Sequence, residues 1–246
     1  MQRFDGKVVI VTGAASGIGE ATARRFSSEG ARVALVDRNE APLADAARDL
    51  PAQLTLAHIA DVSDHEAVDE MVATVVKRFG RLDFLINNAA VRYETPFSSM
   101  KFEEWRQVLA IVLDGAFLCA RAALPHMVSA GGGTIINIGG QTGHKGAAER
   151  AHVITAKAGI AGMTKALAMD LAPHKITVNC VVPGTIDSQR GLPGVPDRPA
   201  HRMTVPPIGR RGEPEEIGAM VRMLCGPDAR YITGQSIHLN GGGFMP

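Results

Sequence analysis

Seven short apolar runs punctuate this chain, and they limit its fold more than any other feature. They read "KVVIVT" (7–12), "RVALVD" (32–37), "LTLAHI" (54–59), "LDFLIN" (82–87), "TIINI" (134–138), "ITVNCV" (176–181) and "SIHLN" (236–240). Most are continuously apolar rather than alternating, as a parallel strand covered on both faces must be. Longer stretches of helical period separate them, near 17–29, 40–49, 64–79, 103–129, 152–171 and 214–225. Ser63 or Asp64 suits the cap of the third stretch, and Pro214 suits the first turn of the last. The alternation predicts an α/β chain with a doubly wound, seven-stranded parallel sheet, helices on both faces and right-handed crossovers. Without a repeat or a boundary in composition, residues 1–246 are expected to form a single domain. The one break is 183–212, with six prolines, which suggests a substrate lid over about 186–212.

Charge and cysteine content narrow the function classes. A net charge of +1 with scattered Lys and Arg gives no polyanion-binding face, so nucleic acid is not the expected partner. Cys119, Cys180 and Cys225 lie far apart in apolar runs, which suits reduced thiols in the cytoplasm better than a disulfide framework. No CxxC or HExxH spacing supports a metal site. The first strand begins at once, with no signal-type apolar segment and no uninterrupted apolar run of membrane-spanning length, so no membrane partner is expected.

The segment "TGAASGIG" places Gly13, Gly17 and Gly19, with Ser16 and Ile18 between them, where the first strand meets the first helix. Glycines there let the backbone turn tightly and approach a pyrophosphate against the helix N-terminus, as in a Rossmann-type fold. A tight turn with no ligand would look similar, but the second strand ends in Asp37. An acid at that place accepts hydrogen bonds from the ribose hydroxyls of NAD and repels the 2′-phosphate of NADP. NAD is therefore the expected cofactor, with Arg38 leaving room for some NADP.

With these segments in view, the chain resembles the short-chain dehydrogenase/reductase family over nearly its whole length, and within it the 3-oxoacyl-carrier-protein reductase-like members. In order, the motifs are "TGAASGIG" (12–19), "DV" (61–62), "NNAA" (87–90), "KAGIAGMTKALAMDLA" (157–172), "VNCVVPGTI" (178–186) and "YITGQSIHLNGGG" (231–243). The resemblance implies that Asp61 and Val62 flank the adenine and that Asn87 and Ala89 line the cofactor channel. It places Pro183, Gly184 and Ile186 at the nicotinamide and Lys157 on its ribose. "NNAA" is equally compatible with a stabilising strand-end turn, since Asn readily bonds local backbone. Resemblance also implies a homotetramer built on the two long helices and the tail.

The catalytic end departs from the family. There a tyrosine four residues before the lysine transfers the proton, a serine polarises the same oxygen, and an asparagine supports a water. Counting from Lys157, the tyrosine position holds Val153, the serine position Gly140 and the asparagine position Val112. Neither tyrosine of the chain, Tyr93 or Tyr231, precedes any of its seven lysines by four, so no shift of register restores the motif. Candidate replacements for the acid are Tyr93 after "NNAA", Gln141 and His144 in the former serine loop, and His152 beside Val153. Each has a structural alternative.

Arg190, Arg198, Arg202, Arg210 and Arg211 near the lid would suit a small acidic substrate, or simply face water. Three functions remain open. One is an NAD-dependent oxidoreductase of a small alcohol or carbonyl compound with a substituted acid–base group. Another is a non-redox lyase, isomerase or hydrolase in the same cleft. The last is a non-catalytic NAD-binding subunit.

Overall fold

The computed structural model describes residues 3–188 and 205–246. Seven parallel strands form one sheet: β1 (Val8–Thr12), β2 (Arg32–Asp37), β3 (Thr55–Ile59), β4 (Phe84–Asn87), β5 (Gly133–Ile138), β6 (Ile176–Pro183) and β7 (Ser236–Leu239). Their spatial order is β3-β2-β1-β4-β5-β6-β7. All seven expected runs are strands, with ends moved by one or two residues.

Continuous apolarity has the expected cause. In β1, Val8 and Ile10 enter one core while Val9 and Val11 enter the other. In β6, Val178, Cys180 and Val182 face the first core and Val181 the second. The first core is closed by α3 (His65–Phe79), a long helix over 102–129 and α7 (Ala151–Leu171). The second lies under α1 (Gly17–Ser28), α2 (Glu40–Ala47) and α8 (Pro214–Leu224).

Local chemistry sets the helix ends. Asp64, rather than Ser63, caps α3 by accepting from the backbone N–H groups of Glu66 and Ala67 at 3.0 and 3.3 Å. Pro214 opens α8, where Glu213 and Glu216 form a reciprocal capping box. The stretch near 103–129 is one apolar helix broken in its middle: α4 (Phe102–Leu109), a π-helical turn (Ala110–Asp114) and α5 (Gly115–Ser129). By length and composition alone it would pass for a membrane span, yet Val108, Ile111, Val112, Ala116, Ala120 and Ala123 pack into the first core. A short helix, α6 (Thr142–Lys145), was not visible as a periodic pattern.

Strand order reverses between β1 and β4, so their carboxyl ends open a crevice at the switch point, the usual ligand position in such sheets. At the other end, buried Asp83 ties the sheet together. It accepts from Lys7 Nζ (2.8 Å), Val8 N (3.0 Å) and both Arg81 Nε (2.8 Å) and Nη2 (2.6 Å). Burial raises its pKa, but these cations and the N–H group outweigh that and hold the carboxyl below its usual range.

Candidate active site

The crevice begins with backbone geometry. Gly13 and Gly17 have φ of 63° and 56°, a region few side chains tolerate. A Cβ on Gly13 would stand 2.8 Å from Ala89 Cα, and one on Gly19 would strike the Gly13 carbonyl and lie 2.6 Å from Asn88 Nδ2. The glycine loop is thus pressed against the end of β4, and Ser16 heads α1 without a side-chain cap. This cradle, with a helix N-terminus behind it, fits a pyrophosphate. Asp37 adds the acid at the end of β2. Its carboxylate accepts from Ala15 N (3.3 Å), Asn39 N (3.0 Å) and Asn39 Nδ2 (2.9 Å). Arg38 lies 4.0 Å from Asp61, and Val62 is buried against the π-helical turn's end at Gly115.

Both asparagines of "NNAA" bond residues distant in sequence rather than only their own turn. Asn88 Nδ2 donates to the Thr12 and Gly13 carbonyls at 2.9 Å each, locking the glycine loop to β4. Asn87 Nδ2 donates to Asn137 Oδ1 (2.9 Å), whose own Nδ2 donates to Thr164 Oγ1 (2.9 Å) on α7. Among the described residues Asn87 Oδ1 is buried without a hydrogen-bond partner, and Asn87 lines a cavity of about 10 Å³ shared with Ala89, Val112, Ile138 and Lys157. That volume suits one water molecule.

Lys157 projects from α7 to the end of β5, where its ammonium donates to the Ile138 carbonyl at 2.6 Å. Cys180 lies on the adjoining strand. Burial pushes its thiol up to about 11 even though the Lys157 charge pulls it down, so it is an inert apolar neighbour. A Cβ on Gly140 would meet Lys157 Cγ at 3.9 Å and Thr142 Oγ1 at 4.0 Å, so a side chain fits there in ordinary contact with the lysine stem. Val112 sits in the π-helical turn and Val153 in the first turn of α7, 3% and 6% exposed, both within the first core. Apolar packing has replaced two polar groups of the family pattern. The backbone that would present them is retained.

The proposed replacements for the acid separate into three groups. Tyr93 stacks on His152, centroids 6.3 Å apart, and His152 Nε2 donates to Glu104 Oε1 on α4 at 3.0 Å. Thr95 Oγ1 donates to the same carboxylate, and Arg150 pairs with Glu94. His152 is fully buried, with Nδ1 unpartnered among the described residues. His144 lies elsewhere, in edge contact with His238 of β7 (4.7 Å) and beside Phe244 (6.0 Å). Burial, then the His144 charge, lowers the His238 pKa. Gln141 lines a third feature, a pocket of about 240 Å³ bounded also by Lys145, Thr185, Pro206, Pro207 and Gly243, and its buried Oε1 has no partner among the described residues.

At the carboxyl end of β6, Pro183 closes the strand, Gly184 runs so near Asn240 that a Cβ would stand 2.6 Å from its Cα, and Ile186 bridges to Gly212. Arg210 is held bidentate by Glu216 at 2.7 and 2.8 Å, and Arg211 lies 3.9 Å from Asp187. Both already have carboxylate partners, which weakens the expectation that they await an acidic substrate. Arg190, Arg198, Arg202 and most of the expected lid lie outside the described residues.

A family model described as enoyl-(acyl carrier protein) reductase matches residues 13–243, nearly the whole sheet and the whole crevice. This chain belongs to the short-chain dehydrogenase/reductase family. Among relatives within the family, a meso-2,3-butanediol dehydrogenase of Serratia marcescens is 36% identical over 243 residues, covering 98% of this chain and 95% of that one. A 3-oxoacyl-[acyl-carrier-protein] reductase of Thermotoga maritima is 35% identical over 244 residues, with 98% of each chain covered. A solved short-chain dehydrogenase/reductase from Brucella melitensis, described as a glucose/ribitol dehydrogenase, is 32% identical and superposes with a TM-score of 0.90 over 99% of each chain. Within this oxidoreductase family, the chain's cofactor end follows the motif pattern and its catalytic end carries Val112, Gly140 and Val153.

Proposed function

We propose that this chain is an NAD-dependent oxidoreductase interconverting a small alcohol and its carbonyl compound, with an acid–base group other than tyrosine. The observation that carries the reading is Lys157, held on the Ile138 carbonyl with its stem beside Gly140. The nicotinamide cofactor supplies hydride transfer when bound. Gly13, Ser16, Gly17, Ile18 and Gly19 would receive its pyrophosphate, Asp37 its adenine ribose, and Asp61 and Val62 its adenine. Asn87, Ala89 and Lys157 would hold the nicotinamide ribose, and Pro183, Gly184 and Ile186 the ring. Preference for NAD over NADP follows from the Asp37 carboxylate, which repels a 2′-phosphate, and from Arg38, which turns toward Asp61 instead.

In the reducing direction the carbonyl carbon gains a hydride and the carbonyl oxygen gains the π pair. Lys157 gives that oxygen a proton from its ammonium and is reprotonated from water, so the sum is carbonyl plus reduced cofactor plus H⁺ to alcohol plus oxidised cofactor. The 240 Å³ pocket at Gln141 is sized for a small substrate, in keeping with the butanediol dehydrogenase and oxoacyl reductase among the relatives. Tyr93 and His152 take a positioning role through Glu104, and His144 packs the tail.

We also place the enzyme in the cytoplasm, where its three buried free thiols are stable. Exposed Phe117 on α5 and Met169 on α7 suit the long-helix faces of a homotetramer. A second reading, a non-catalytic NAD-binding subunit, is favoured by the packing of Val112 and Val153 into the core. Calorimetric titration with NAD and NADP, followed by turnover of 2,3-butanediol with NAD and of diacetyl and ethyl acetoacetate with NADH, separates the two. Binding with turnover supports the enzyme, binding without turnover supports the subunit, and no binding removes both.

A further inference from the structure

We infer that Thr142 supplies the hydroxyl that Gly140 lacks, hydrogen-bonding the reacting oxygen of the substrate beside Lys157. The assignment rests on the oxidoreductase reading. Thr142 Oγ1 stands 4.0 Å from the place a Cβ would occupy on Gly140, and Lys157 Cγ stands 3.9 Å from that same place. The two side chains border the same position. An oxygen atom lodged beside it is within reach of the threonine hydroxyl, with the lysine stem alongside.

The loop that presents Thr142 is held firmly. Gly143 lies against α7 so closely that a Cβ there would stand 3.0 Å from both Lys157 C and Lys157 Cβ. Gln141 N donates to the Pro183 carbonyl (3.0 Å), and Gly143 N donates to the Gly140 carbonyl (3.0 Å). Thr142 is the first residue of α6, partly exposed, and its β-branched side chain has few rotamers. Its hydroxyl has no hydrogen bond among the described residues. Three other threonine hydroxyls near the crevice are engaged: Thr12 donates to Ile86 O, Thr164 to Ile160 O and Thr95 to Glu104. An unengaged hydroxyl on a fixed turn that packs against the Lys157 segment of α7 is what a donor to a developing alkoxide requires.

Charge and protons balance without a tyrosine. As the carbonyl oxygen takes the π pair, Thr142 donates a hydrogen bond to it and keeps its own proton. Lys157 transfers the proton that makes the alcohol. A missing hydroxyl at 140 is thereby offset from 142, two residues along the same loop.

The test compares wild type with Thr142→Val, which keeps the shape and removes the hydroxyl, and with Thr142→Ser, using diacetyl and ethyl acetoacetate with NADH. Expected is a fall in kcat of about 10²–10³-fold for the valine variant, as for loss of one oxyanion donor, with NAD affinity and melting temperature unchanged. Thr142→Ser is expected to stay within about tenfold of wild type. Adding Gly140→Ser to the valine variant is expected to restore turnover, which a purely structural role for Thr142 would not produce. Wild-type turnover that persists in Thr142→Val overturns the assignment and leaves the oxidoreductase reading standing. A loss that neither Thr142→Ser nor Gly140→Ser recovers also overturns it. Absence of wild-type turnover with every probe overturns the oxidoreductase reading and the assignment with it.

Discussion

The two halves of the crevice differ in what their chemistry is made from. The cofactor half, at the ends of β1, β2 and β4, is built from backbone. Gly13 and Gly17 adopt positive φ, Gly19 has no room for a side chain, and Asn88 clamps the loop by its carbonyls. The catalytic half, at the ends of β5 and α7, is built from side chains on a backbone that does not need them. Gly140 has space to spare, the turn at Val112 keeps its π-helical winding, and Lys157 is anchored by a carbonyl. A site held by main-chain geometry cannot lose its residues piecemeal without unfolding locally. A site held by side chains can exchange them one at a time.

The strongest challenge to that contrast is to refill the catalytic half. Val112→Asn, Gly140→Ser and Val153→Tyr together should raise carbonyl-reductase kcat by about 10²–10⁴-fold, the usual worth of a positioned acid. Tyrosine at the buried 153 position should cost about 1–3 kcal/mol by overpacking, read as a lower melting temperature. No gain in rate would mean that the backbone, too, has drifted.

On the cofactor half, Gly19→Ala should weaken NAD binding by about 10–100-fold in calorimetry, since 1–3 kcal/mol of strain converts at about 1.4 kcal/mol per decade. Affinity within twofold of wild type would show that the loop yields and is not set by its backbone. Asp37→Ser should act more gently, costing NAD about tenfold while NADP gains about as much. Unchanged selectivity would take the nucleotide preference away from Asp37.

The smallest effect is one of pH. Burial and His144 lower the His238 pKa below 6.5, so the folded protein binds fewer protons there than the unfolded chain. Its contribution is present above about pH 6.5 and is lost as pH falls toward the folded value. His238→Gln should therefore flatten the fall in melting temperature between about pH 7.5 and pH 5.5. An equally steep fall in the variant would assign it elsewhere.

The same contrast explains what could be read from sequence. Strands buried on both faces announce themselves as apolar runs, and glycines with acid at strand ends mark a nucleotide cradle through spacing alone. Counting back from Lys157 pointed to Val112, Gly140 and Val153 because the lysine motif gives a fixed point from which offsets can be read. What escaped were side-chain partners distant in sequence: His152 with Glu104, His144 with His238, Asn87 with Asn137. No local pattern encodes a contact made through the third dimension. Thr142 escaped differently. The resemblance assigns nothing to that position, and the signal available was a hydroxyl two residues beyond a vacated serine site.

The edge contacts of His238 and Phe244 with His144 also impose an order of events during synthesis. The nucleotide cradle draws on residues 8–37 and 84–89, all translated early. The loop carrying Gly140 and Thr142 rests on α7 and β6, and its last contacts come from residues made about a hundred positions later. A nascent chain arrested before Ser236 is therefore expected to protect its glycine loop from protease while residues 140–146 stay cleavable. The glycine cradle is complete in chain order before the catalytic loop, whose last contacts wait for β7.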